Sequence, residues 1–90
     1  MAKKRVRSVF YDLFPEDEAT ELEMRSLLLS RLTAWLAETG MTKGEAARVI
    51  GLSQARITDI KRGRINEFKL GLLVRLAVRA GLKPKLKLAV

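Results

Sequence analysis

Thr42-Lys43-Gly44-Glu45-Ala46-Ala47-Arg48-Val49-Ile50-Gly51-Leu52-Ser53-Gln54-Ala55-Arg56-Ile57-Thr58-Asp59-Ile60-Lys61-Arg62-Gly63 is the stretch whose reading decides the fold. Thr42 with Glu45 three residues on is a capping box, so a helix is expected from Lys43 to about Ile50. Gly51 ends that helix, Leu52 bridges, and Ser53 caps a second helix from Gln54 to about Arg62, closed by Gly63. Two helices crossing at a short turn need a small residue at the close approach, and Ala47 supplies it; Gly51 keeps bulk out of the turn. Ile57 and Ile60, three residues apart, form the inner face of the second helix. Gln54, Ala55, Arg56, Thr58, Asp59 and Arg62 are left facing outward.

That outward set has the chemistry of a DNA reader. A helix of this kind enters the major groove with its N-terminal residues nearest the base edges. Glutamine can pair with adenine, arginine with guanine, and a small apolar group can meet a thymine methyl. Gln54, Arg56 and Thr58 are therefore the expected direct readers, with Ala55 as a methyl contact. Lys43 stands at the N-terminus of the first motif helix, where amide groups and the helix dipole suit a phosphate. Ser53, Lys61, Arg62 and Arg64 cap or flank the second helix and are expected to contact the backbone of the duplex.

Working outward, Leu70, Leu73, Val74, Leu76, Ala77 and Ala80 predict a further helix stopped by Gly81, and Ile65 and Phe68 in the connector should drop onto the core. Upstream, Met24, Leu28, Leu32, Trp35 and Leu36 predict a long helix from about Asp17 to Thr39, entered through Pro15 and ended at Gly40. The tail changes period. Pro84, Leu86, Leu88 and Val90 alternate with Lys83, Lys85 and Lys87, which predicts a short C-terminal strand. A lone strand leaves backbone groups unpaired, so it needs either the Val6 to Phe10 segment or the same strand of a second subunit, the latter favoured. The expected organisation is an N-terminal extension over 1–16, a helix-turn-helix domain over 17–82 with its motif at 42–63, and a dimerising strand over 83–90.

Composition agrees with a nucleic-acid partner. The 90 residues carry 18 Lys and Arg against 10 Asp and Glu, a formal charge of +8. The charge is segregated: residues 15–39 hold Glu16, Asp17, Glu18, Glu21, Glu23 and Glu38 against Arg25 and Arg31, whereas residues 40–90 are strongly basic. There is no cysteine and no histidine, which removes disulfides, thiolate metal sites and the commonest acid–base side chain. No catalytic constellation is present, so no enzyme and no cofactor are expected. No apolar run is long enough for a membrane span and no secretory signal pattern follows Met1, so a cytoplasmic protein without a membrane partner is expected.

Thr42 to Gly63 resembles the Xre/phage-repressor helix-turn-helix family without a gap, with Ala47, Gly51, Ile57 and Ile60 at the family's core positions. The resemblance implies an all-α, lambda-repressor-like bundle of about four to five helices, to which the tail adds its strand. It implies base contacts from Gln54, Ala55 and Thr58 or Asp59, and a phosphate contact from Lys43. Most members carry glutamine where this chain has Lys43, and a lysine should lack glutamine's hydrogen-bond bridge to the next helix. Val9 to Pro15, Trp35-Leu36, Arg62 to Ile65 and Ala80 to Leu82 together resemble the HigA-like (host-inhibition-of-growth) antitoxins. That implies a dimer repressing its own operon and neutralising a basic endoribonuclease toxin, which the acidic run Glu16 to Glu23 could meet. A stand-alone or phage-type regulator without a toxin, and a protein-interaction module, remain as alternatives.

Overall fold

The computed structural model describes the backbone of residues 7–89 and the side chains of residues 9–89. These residues form five α-helices: α1 (Arg7–Leu13), α2 (Glu16–Thr39), α3 (Lys43–Ile50), α4 (Gln54–Lys61) and α5 (Leu70–Arg79), with a 3-10 turn at Ile65–Glu67. Each motif helix begins where its cap dictates. The Glu45 amide donates to Thr42 Oγ1 at 3.1 Å and the Thr42 amide to Glu45 Oε1 at 2.9 Å, completing the capping box of α3. Ser53 caps α4 by accepting from the Arg56 amide at 3.2 Å.

The core gathers Leu29, Leu32 and Leu36 of α2, Ala46, Ala47 and Ile50 of α3, Ile57 and Ile60 of α4, Phe68, and Leu73 and Leu76 of α5. The long helix is the floor on which α1, α4 and α5 lie, and α3 packs on α4 and α5. The buried line of α2 is Ala19, Leu29, Leu32 and Leu36, while Met24, Leu28 and Trp35 are only half-buried. This line is thus rotated slightly from the expected stripe, with Leu28 and Trp35 packed at the edge of the core. The Thr33 hydroxyl, which donates to Leu29 O at 2.8 Å, also reaches the Ile60 carbonyl at 3.2 Å and ties the end of α4 to α2. Ile65 is half-buried and Phe68 fully buried, as their place in the connector suggests.

One segment adds to the expected organisation and another departs from it. The extension over residues 1–16 contains α1, which packs on the first half of α2; the Tyr11 hydroxyl meets Thr20 Oγ1 at 2.7 Å. The C-terminal strand is not formed. Among the described residues there is no strand, and 82–89 have no regular structure, with Leu86 and Leu88 73% and 78% exposed. The reason is the lack of a partner. Arg7 to Phe10, four of the five residues of the candidate in-chain partner, are helical and so not available as a strand, and Val6 lies outside the described residues. Alternation makes a segment competent for a sheet, but only a second strand makes the sheet.

Candidate nucleic-acid interface

The turn between α3 and α4 is set by one residue. Gly51 takes φ 74° and ψ 36°, a left-handed conformation that glycine adopts without a Cβ clash. Its amide and that of Leu52 both close back on the Ala47 carbonyl, the latter at 2.9 Å. Arg79, in the last turn of α5, reaches over the turn and donates from Nη1 to the Ile50 carbonyl at 3.1 Å. A Cβ on Gly51 would stand 3.0 Å from that same nitrogen. The angle between the two helices is therefore held by a backbone conformation and by a cation that occupies the space a side chain would need.

On α4 the two isoleucines are fully buried, and Gln54 and Ala55 are exposed on the first turn. Thr58 is half-buried and accepts a hydrogen bond from Lys43 Nζ at 2.9 Å. The lysine thus makes the cross-helix bridge that the resemblance assigns to glutamine. The expectation that the bridge is lost is corrected: the longer side chain spans the gap and donates to a hydroxyl. Gln54 lies across Gly44, where an added Cβ would stand 3.2 Å from Gln54 Nε2. Lys43, Gln54 and Thr58 are accordingly one cluster at the adjoining N-terminal ends of α3 and α4, with Ala55 exposed on the same first turn. Exposed amide, methyl, hydroxyl and ammonium groups side by side can pair with base edges and a neighbouring phosphate.

The other expected site residues are distributed around this cluster. Ser53 is exposed, and while its oxygen accepts from the Arg56 amide its own proton stays available to an anion. Asp59 is half-buried with Arg64 Nε 3.8 Å from its Oδ1, so its carboxylate is partly neutralised at the far end of the helix. Lys61 and Arg62 are exposed and border an open groove of about 640 Å³ with Leu29, Thr33 and Ala37 of α2. Among the described residues no carboxylate lies within ion-pair distance of Lys43, Lys61 or Arg62. Arg56 is not brought to the cluster; its guanidinium turns to the opposite flank of α4, over Phe68.

Two positioning groups are invisible to pattern reading: Thr33, whose hydroxyl touches the end of α4, and Arg79, whose guanidinium closes the Gly51 turn. Both act from elements distant in sequence, and nothing in their local spacing marks them. The flank taken by Arg56 did carry a sign, since it precedes Ile60 by four residues and so shares that residue's side of the helix. Among the described residues no helix is long and apolar enough to cross a membrane, and no cluster of side chains could hold a metal ion.

Comparison with known proteins agrees with this arrangement. Residues 9–88 match a family model described as a helix-turn-helix domain. Among curated proteins none matches the chain.

Proposed function

The chain belongs to the helix-turn-helix domain family, a DNA-binding fold, and on that premise we propose that it is a sequence-specific repressor. The observation that carries this reading is the cluster of Lys43, Gln54 and Thr58, with Ala55 beside it, at the open end of α4 opposite two wholly buried isoleucines. Gln54, Ala55, Thr58 and Asp59 are assigned to base edges. Lys43, Ser53, Lys61, Arg62 and Arg64 are assigned to phosphates, and the formal charge of +8 supplies the long-range attraction. The protein acts by binding rather than by catalysis. Mobility shift of the DNA upstream of its own gene, across a salt series, tests this: binding should weaken steeply with salt, and Gln54→Ala should lower preference for that DNA. Absence of salt-sensitive binding refutes it.

The finer part of the proposal is that the repressor is a dimer and the antitoxin of a type II toxin–antitoxin pair. Two features support it. The tail from Lys83 to Ala89 has no regular structure and leaves Leu86 and Leu88 exposed, and its alternating pattern would gain from pairing with a second copy. Glu16, Asp17 and Glu18 form an exposed acidic first turn on α2, the one sign of charge that suits a basic nuclease. Sedimentation with and without residues 86–90 tests the dimer. Co-purification with the product of an adjacent small basic reading frame tests the antitoxin role, and failure of the two to associate leaves a stand-alone regulator.

A further inference from the structure

Arg56 occupies the same turn of α4 as Gln54 and Ala55, yet its side chain runs the other way. It lies four residues before Ile60, so the two share the protein-facing side of the helix, and Ile60 is fully buried. The guanidinium carbon stands 4.4 Å from the centroid of the Phe68 ring. Nη2 donates to the Glu67 carbonyl at 3.0 Å, and Nη1 is 3.9 Å from Glu67 Oε1. The flat face, the N–H edge and the charge of one group are each engaged, a combination open to a planar guanidinium and closed to an ammonium. Phe68 is wholly buried, so the ring beneath does not give way.

Resting on the DNA-binding reading above, we infer that Arg56 is a positioning residue. It fastens the first turn of α4 to the Glu67–Phe68 connector and so sets the tilt at which Gln54, Ala55 and Thr58 meet base edges. It touches neither base nor phosphate. The opposite flank of the helix is held by Lys43 on Thr58 and its far end by Thr33 at Ile60 and Arg64 at Asp59, while Arg56 fastens its first turn to the Glu67–Phe68 connector. Swinging out to a guanine would surrender the ring contact and the carbonyl bond together. Their combined strength is of the same order as a bidentate arginine–guanine pair, so the swing brings little net discrimination.

The test uses the tightest duplex recovered from random DNA by the wild-type protein, together with its single-base-pair variants. Binding of wild type, Arg56→Lys and Arg56→Met is measured across a salt series, well below each protein's melting temperature. Both variants should lose affinity by about the same factor, on the order of tenfold, on every duplex, with the ranking of base pairs kept and the salt slope unchanged in Arg56→Lys. Loss of preference confined to one base pair would make Arg56 a reader and overturn the inference. Full affinity in Arg56→Lys, with a salt slope lower by about one in Arg56→Met, would make it a phosphate contact and overturn it as well. Unchanged affinity in both variants with only a lower melting temperature would reduce it to a stability residue, which also overturns it. Wild-type protein that selects no duplex removes the DNA-binding reading and the inference with it. The other three outcomes remove the inference alone.

Discussion

Replacing Gly51 with alanine should destabilise the domain in two separable ways. The first is conformational: at φ 74° an L side chain meets its own carbonyl, costing about 1–2 kcal/mol, partly offset by the smaller entropy of the unfolded alanine chain, about 0.4–1 kcal/mol. The second is steric: the new Cβ would lie 3.0 Å from Arg79 Nη1. That nitrogen is the far end of a flexible side chain and will move, but moving ends its 3.1 Å bond to the Ile50 carbonyl, a loss of about 1–2 kcal/mol for a partly exposed charged donor. Gly63 provides an internal reference. It has φ 67°, and a Cβ there meets nothing within 4 Å, so Gly63→Ala reports the conformational part alone. By thermal melting, Gly63→Ala should lower Tm by about 4–8 °C and Gly51→Ala by about two to three times that. In an Arg79→Met background the excess at Gly51 should vanish, since the cation is no longer there to displace. Equal shifts for the two glycines, or an excess that persists without Arg79, would refute the claim that α5 holds the turn.

Other expectations follow from the same geometry. Thr42→Ala opens the capping box and should cost about 1 kcal/mol, seen as a lower urea midpoint with unchanged slope. Lys43→Met removes the bridge to Thr58 and, on the proposed function, a phosphate contact, so DNA affinity should fall and the salt slope should shrink by about 0.9. Gln54→Ala should relax discrimination at one base pair by about 1–3 kcal/mol while leaving the melting temperature in place, read by competition with singly substituted duplexes. Phe68→Ala leaves a cavity in the core and should cost about 3–5 kcal/mol, lowering the melting temperature followed by circular dichroism by more than about 10 °C.

Much of this was legible along the chain because it is local. A capping box spans four residues, a helix stop requires one glycine, and an amphipathic face repeats every three or four positions. The boundaries of α3 and α4 therefore follow from Thr42, Glu45, Gly51 and Ser53, and the inward turn of Ile57 and Ile60 from their spacing. The tail shows where local information stops. Its alternation is real, but a strand is a relation between two segments, and within this chain the nearest candidate has coiled into α1.

By itself, then, the sequence determined where the two motif helices begin and end, which of their faces is buried, and that the exposed face carries polar and basic groups suited to a duplex. Only the tertiary structure decided which of those groups act together. Lys43 bridges to Thr58 and stands beside Gln54 because the turn at Gly51 brings α4 back across the start of α3. Arg56 starts on the Ile60 side of α4, and the connector at Glu67 and Phe68 brings a carbonyl and a ring within its reach. Helical periodicity sets the direction in which a side chain starts, whereas its partner is set by whatever the rest of the chain folds into that direction.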